Sequence, residues 1–203
     1  MLKKLFRKTS TPVISPEEEL RQWELNGKPS PPPHIIKQRA IAEYQSKYGN
    51  KVLVETGTYL GDMVEAQKNV FSTIYSIELS SKLFKQALKR FKGDNRIRLL
   101  QGDSGHRLTE IVNELKEPAL FWLDGHYSGG ITALGEKECP VPEELEAIFK
   151  SSMDHVILID DARLFNGANS YPDIDQIREI INQNKKSYQV IIKDDIIRLT
   201  PAS

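Results

Sequence analysis

From about residue 50 onwards, short hydrophobic blocks alternate with longer stretches in which apolar residues recur at helical spacing. The blocks predict strands at Val52–Glu55, Thr73–Ile77, Ile97–Leu100, Leu120–Leu123, Val156–Ile159, Tyr188–Ile192 and Ile196–Leu199. Predicted helices lie at Asp62–Phe71, Ser81–Phe91, Gly105–Leu115, Val141–Lys150 and Asp173–Gln183. Near-continuous apolar strands separated by helices are typical of a parallel sheet covered on both faces. We therefore predict a doubly wound α/β sheet with five parallel strands, helices on both faces, and an antiparallel hairpin formed by the last two blocks.

The first 49 residues have a different pattern. A helix is predicted from Ser15 to about Asn26, because a serine N-cap precedes a proline at the first helical position. The proline-rich stretch Gly27–Pro33 forms a stiff connector, and apolar spacing predicts a second helix over His34–Tyr48. We expect residues 1–49 to be a tail and helical extension and residues 50–203 to be the α/β domain. The extension is suited to a lid, to a homodimer contact or to both.

The amino-acid composition limits the classes of partner that we expect. The 203 residues contain 28 Lys and Arg against 28 Asp and Glu, so no global field favours nucleic acid. The single cysteine, Cys139, excludes an internal disulfide and is typical of a reducing cytoplasm. No apolar run approaches the roughly 18 residues of a membrane span, so we expect no stable membrane insertion.

A glycine-containing loop, VETGTYLG, follows the first predicted strand. In open α/β sheets the ligand lies beyond the carboxyl ends of the strands, near the point where strand order reverses. The dinucleotide fingerprint requires a glycine where this loop has Tyr59, and no Lys-Ser/Thr pair follows Gly61 as a phosphate loop requires. The pattern therefore favours a cofactor without a pyrophosphate.

Acidic residues follow the next two predicted strands. Glu78 in IELS comes 21 residues after Gly57, where a carboxylate can accept hydrogen bonds from both hydroxyls of a ribose. Asp103 and Ser104 in QGDS lie one strand further along, where an acid can accept from an adenine amino group. Together these positions indicate an adenosine-bearing cofactor.

Over residues 50 to 200 the chain resembles the class I S-adenosylmethionine-dependent methyltransferases, which have a Rossmann-like fold. The resemblance is carried by VETGTYLG, IELS, QGDS, FWLDGH and ILIDDA. It implies that Glu55 and Gly57 shape the methionine pocket, that Glu78 holds the ribose and that Asp103 faces the adenine. The other cofactor-binding residues expected from it are Thr58, Tyr59, Gly61, Ser104 and Asp124. The family loop has three closely spaced glycines, whereas this loop has two with Tyr59 between them.

Three carboxylates are predicted to crowd one edge of the sheet, because Asp124 ends the fourth strand and Asp160 and Asp161 end the fifth. Like charges together require compensation, and Mg²⁺ prefers oxygen ligands. The arrangement is similar to the metal-dependent O-methyltransferases of the catechol and macrocin types, and by that resemblance the three aspartates are metal ligands. Loop capping is the alternative. The two consecutive aspartates converge only if the chain turns between them.

His126, two residues after Asp124, is the predicted general base, since histidine can remove a hydroxyl proton at neutral pH. The glycine-rich segment Tyr127–Pro142 is predicted to cover the acceptor. The leading hypothesis is transfer of a methyl group to a hydroxyl on a small molecule or sugar, with Asp124 and His126 at the reacting centre. The alternatives are an NAD(P)-dependent dehydrogenase and a non-catalytic member that binds a nucleoside or a protein partner.

Overall fold

The structure, a computed structural model, describes residues 14–125 and 139–202. Its strands are β1 (Val52–Thr56), β2 (Thr73–Glu78), β3 (Ile97–Gln101), β4 (Leu120–Leu123), β5 (Val156–Ile159), β6 (Tyr188–Lys193) and β7 (Ile196–Pro201). Its α-helices are α1 (Pro16–Leu25), α2 (His34–Tyr48), α3 (Asp62–Gln67), α4 (Ser81–Arg90), α5 (Ser104–Glu114), α6 (Val141–Phe149) and α7 (Ile174–Gln183), with a 3₁₀ turn at Ala162–Leu164.

The strands form one sheet in the order β3-β2-β1-β4-β5-β7-β6. Strands β1 to β5 pair in parallel, whereas β7 pairs antiparallel with both β5 and β6. The predicted doubly wound sheet with a C-terminal antiparallel hairpin is therefore confirmed. The strand order reverses between β1 and β4, and this reversal defines the crevice in which ligands bind in sheets of this kind.

Apolar side chains cover both faces of the sheet. On one face α5, α6 and α7 contribute residues such as Leu108, Leu145 and Ile177 to one cluster. On the other face α2, α3 and α4 contribute residues such as Ile41 and Val64 to a second cluster. Helix α2 is thus packed into the core of the sheet, although the boundary at residue 50 and the lid or dimer role of the extension stay predictions.

The element boundaries differ from the predicted ones by a residue or two in most places. The largest difference is in α3, which ends at Gln67 and not at Phe71. The N–H groups of Val70 and Phe71 both donate to the Gln67 carbonyl, at 2.8 and 3.2 Å, and this tight turn directs the chain into β2. In the part of the chain that the structure describes, no helix has both the length and the apolar character that crossing a membrane requires.

Candidate cofactor and acceptor site

The loop after β1 requires glycine at its first turn. Gly57 has φ +84°, and a Cβ placed on it would lie 2.9 Å from the carbonyl carbon of Asp124, at the end of β4. Backbone atoms cannot yield to such a contact as a flexible side chain can. The predicted glycine therefore lies at the strand-order reversal, in close contact with the backbone that follows β4.

Tyr59 stands where the dinucleotide fingerprint has a glycine, and its backbone has a positive φ. Gly57, Tyr59 and Gly61 have φ values of +84°, +50° and +84°, so positive φ recurs at every second residue. Positive φ costs a bulky residue roughly 1–2 kcal/mol. The Tyr59 N–H donates to Glu78 Oε2 at 2.8 Å, which offsets part of that cost. The Tyr59 side chain itself is half-exposed.

A buried polar chain lies beneath this loop. Glu55 pairs with Ser76 across β1 and β2, and the Ser76 hydroxyl donates to Glu55 Oε2 in a short hydrogen bond. Thr58 Oγ1 lies 2.6 Å from Ser76 Oγ. Either hydroxyl can be the donor in this second hydrogen bond.

Burial raises the pKa of the Glu55 carboxyl to about 8, because the charged form loses its hydration. The Ser76 hydrogen bond lowers this pKa, and the nearby Asp124 and Glu78 raise it further. Glu55 therefore carries a proton at neutral pH until a positive charge arrives beside it.

Glu78 fastens the loop after β1 to the end of β2. One carboxylate oxygen accepts from the Tyr59 N–H and the other from the Ser80 N–H, each at 2.8 Å. Burial raises the pKa of this carboxyl, and the two backbone hydrogen bonds oppose that rise. Each carboxylate oxygen has a second acceptor position. Glu78 thus holds the loop and keeps acceptor capacity for a ligand.

Asp103 is the N-cap of α5, and its side chain accepts from the His106 N–H at 3.4 Å. Ser104 is the first residue of that helix. A cavity of about 290 Å³ opens beside Asp103 between α5 and α6, and Gly105 and Glu143 also line it. The cap does not use all of the carboxylate's acceptor capacity, so Asp103 remains available to the cavity.

The predicted acidic edge is present. Strands β4 and β5 are neighbours, which brings Asp124 and the Asp160-Asp161 pair to the same side of the sheet. Asp161 has φ +55°, and this turn lets the two consecutive aspartates converge. The Lys37 ammonium, from α2, donates to Asp160 Oδ2 and lies 3.6 Å from Asp161 Oδ1.

This geometry places a cation of the protein at the predicted magnesium site of Asp124, Asp160 and Asp161, and the metal itself stays a prediction. The charge that compensates the carboxylates is the Lys37 ammonium, whose own pKa is raised by Asp160, Asp124 and Asp161 against the opposing effect of burial. Arg163 adds a second cation, 2.7 Å from Asp161 Oδ1. Within residues 14–125 and 139–202, no three His, Cys, Asp or Glu side chains are grouped as a metal ion requires.

The predicted base His126 and the predicted covering segment up to residue 138 lie outside the described residues. Two further residues of the site, Lys37 and Ser76, are not among those predicted from the sequence. Lys37 stands four residues before Ile41 on the buried stripe of α2, and Ser76 is a polar residue inside an otherwise apolar strand, two residues before Glu78. A charged or polar residue on a buried face was the available signal in both cases.

Together, the strand order and the glycine loop define the fold of the class I methyltransferases. An O-methyltransferase from Bacillus cereus in complex with SAH aligns with a TM-score of 0.58 and 17% identity, covering 95% of this chain and 93% of that one. The O-methyltransferase TomG from Streptomyces achromogenes, in complex with SAM, aligns with a TM-score of 0.59 and 12% identity, covering 97% and 92%. The N-methyltransferase NodS from Bradyrhizobium japonicum aligns with a TM-score of 0.56 and 11% identity, covering 84% and 97%.

No protein-family model and no curated protein matches the sequence. The predicted resemblance is therefore confirmed at the level of the fold, which these methyltransferases share with this chain.

Proposed function

We propose that this protein is an S-adenosylmethionine-dependent methyltransferase that transfers a methyl group to a hydroxyl on a small molecule or sugar. The observation that carries the proposal is the loop after β1, in which Tyr59 keeps a glycine-like backbone while its N–H is held by Glu78. That loop presents backbone and carboxylates to a ligand, and it lacks the lysine of a phosphate loop. These are features that suit a cationic, phosphate-free nucleoside cofactor.

When bound, that cofactor supplies an electrophilic methyl group on a sulfonium. The side chains of the site have the following proposed roles toward it. Glu78 accepts from the ribose hydroxyls, and Asp103 accepts from the adenine amino group beside its cavity. Glu55, which is protonated in the free protein and loses its proton when the cofactor binds, faces the methionine end. Thr58, Tyr59, Gly61, Ser104 and Asp124 complete the proposed cofactor-binding set.

The residues that act on the acceptor are proposed from the chemical requirements of methyl transfer. An activated donor needs in-line positioning and removal of the acceptor's proton. We propose His126 as the base that takes this proton, with Asp124 beside it. A hydroxyl acceptor is favoured by the O-methyltransferases of the same fold, although NodS shows that the fold also accommodates N-methylation.

Calorimetric titration of the whole chain with S-adenosylmethionine, and separately with NAD, tests the proposal. We expect micromolar binding of the methyl donor without any added metal, and no heat from NAD. A dehydrogenase would give the reverse result. Binding of the donor with no methyl transfer to any acceptor in a broad screen would instead support a non-catalytic nucleoside-binding protein.

The pH dependence of that titration reports on Glu55. Because the pKa of this buried carboxyl is raised to about 8, it is protonated in the free protein at pH 7. The cations of the cofactor lower this pKa on binding, so a proton is released and affinity rises with pH. We expect release of nearly one proton at pH 7 and an affinity about tenfold higher at pH 7.5 than at pH 6.

Calorimetry in buffers of different ionisation enthalpy measures the proton release. In Glu55→Gln the release and the pH dependence should both disappear, whereas Glu65→Gln, which changes a solvent-exposed carboxylate of α3, should behave as the unaltered protein. An unchanged proton release in Glu55→Gln would show that Glu55 is not the titrating group.

A further inference from the structure

Helix α2 carries one lysine into the acceptor side of the site. Its apolar residues Ile41 and Tyr44 pack in the core, and Lys37 lies on the same side of the helix one turn earlier. The Lys37 side chain is only 15% exposed. Its position is therefore fixed by the packing of the helix against the sheet and not by a flexible surface loop.

Both carboxylate oxygens of Asp160 accept hydrogen bonds from the chain. The Asp160 side chain is 0% exposed. Its Oδ1 accepts from the Asp161 N–H at 2.9 Å, and its Oδ2 accepts from the Lys37 ammonium. A metal ion that binds Asp160 Oδ2 would have to compete with the Lys37 ammonium for this oxygen.

The second aspartate is also compensated by cations from the chain. Asp161 Oδ1 lies 3.6 Å from the Lys37 nitrogen and accepts from Arg163 at 2.7 Å. Buried carboxylates are stable only when they are paired and hydrogen-bonded. Lys37 and Arg163 supply that pairing without an external ion.

We infer that Lys37 is the built-in cation of this site: its ammonium takes the place that a divalent metal would have between the carboxylates after β4 and β5, and it makes the site independent of magnesium. Lys37 is then a positioning residue that holds the acidic edge in its folded arrangement. Its relevance to an acceptor rests on the proposed function, but its effect on metal binding does not.

Titration with MnCl₂ and MgCl₂ tests the inference, with binding followed by the electron paramagnetic resonance of Mn²⁺ and by thermal melting. We expect the unaltered protein to bind neither ion saturably at millimolar concentration. Lys37→Met removes the ammonium that Asp160 accepts from and leaves only Arg163 as a cation beside Asp161, so this variant should bind Mn²⁺ saturably and melt several degrees higher with the ion than without it. Lys37→Arg keeps a cation and should not bind the ion.

Saturable binding to the unaltered protein at these carboxylates, or absence of binding in both the unaltered protein and Lys37→Met, would overturn the inference. Should Lys37→Met fold poorly, the pair Lys37→Gln and Lys37→Gln/Asp160→Asn provides a second measurement. Removing the uncompensated charge should then raise the melting temperature, whereas Asp160→Asn alone should lower it. Equal effects of Asp160→Asn in the two backgrounds would also contradict the role of Lys37.

The metal titration needs neither cofactor nor acceptor. If S-adenosylmethionine does not bind while Lys37→Met gains metal binding, the proposed function fails and the inference about Lys37 stands. If S-adenosylmethionine binds while Lys37→Met gains no metal binding, the proposed function stands and the inference about Lys37 fails.

Discussion

Gly57→Ala should lose most of its affinity for S-adenosylmethionine, by more than about 100-fold, and should also destabilise the fold by roughly 2–5 kcal/mol. Two costs add at this residue. The added methyl group would force an L side chain into φ +84°, and it would meet the backbone of Asp124 at the end of β4. Since β1 and β4 border the cofactor crevice, the loop can relieve the contact only by moving away from the ligand. Calorimetric titration and urea unfolding measure the two effects.

Gly27→Ala is the matched control for this substitution. Gly27 has nearly the same backbone conformation, with φ +81°, but nothing lies within 4 Å of the position that its Cβ would take. It should therefore show only the conformational cost, about 1 kcal/mol, and unchanged cofactor affinity. If both variants lost equal stability and both bound the cofactor normally, the close approach of Gly57 to Asp124 would not exist in solution.

The sheet was predictable because its signal is local. Each buried strand is a short apolar block, and parallel strands place the residues that follow them at one edge. Glu78, Asp103 and Asp124 could therefore be assigned to the carboxyl edge of the sheet before their neighbours were known. The position of Tyr59 in the loop is likewise recognisable, although its positive φ and its hydrogen bond to Glu78 cannot be derived from residue type.

The acidic edge was predicted in position but not in its partner. The carboxylates need compensation, and the prediction that a metal ion supplies it rests only on residues near them in sequence. Lys37 and Asp160 are separated by 123 positions, and no local pattern links them. Only the packing of α2 on the sheet, which is a tertiary property, brings the ammonium to the carboxylates. The general lesson is that a cluster of like charges predicts a counter-charge without specifying its chemical nature.

The partner of Ser76 likewise cannot be predicted from the local sequence. Its pairing with Glu55 follows from the register of β1 against β2, and register depends on the whole sheet. Once the two side chains are opposite each other, the serine hydroxyl and the Thr58 hydroxyl form the chain that surrounds a protonated carboxyl. The sequence contained the residues of this network but not their contacts.

Glu78→Gln should weaken binding of S-adenosylhomocysteine by about 100-fold, because hydrogen bonds to a charged acceptor contribute roughly 1.5–3 kcal/mol each. The carboxylate accepts from two backbone N–H groups and is proposed to accept from the ribose. The amide of glutamine has one acceptor oxygen in place of two, so it can serve either the loop or the ligand fully, but not both. Titration of the variant with S-adenosylhomocysteine measures the loss.

A ligand series separates the ribose contact from a general disturbance of the loop. The 2′,3′-dideoxy analogue of S-adenosylhomocysteine lacks both hydroxyls, so the unaltered protein should bind it far more weakly than the natural ligand. In Glu78→Gln the difference in affinity between the two ligands should be smaller, because the carboxylate that accepts from the ribose hydroxyls has been replaced. An equal penalty in both proteins would mean that Glu78 shapes the loop through Tyr59 and Ser80 alone, and that the ribose is held elsewhere. A reduced penalty would mean that the Glu78 carboxylate both holds the loop and binds the ribose of the cofactor.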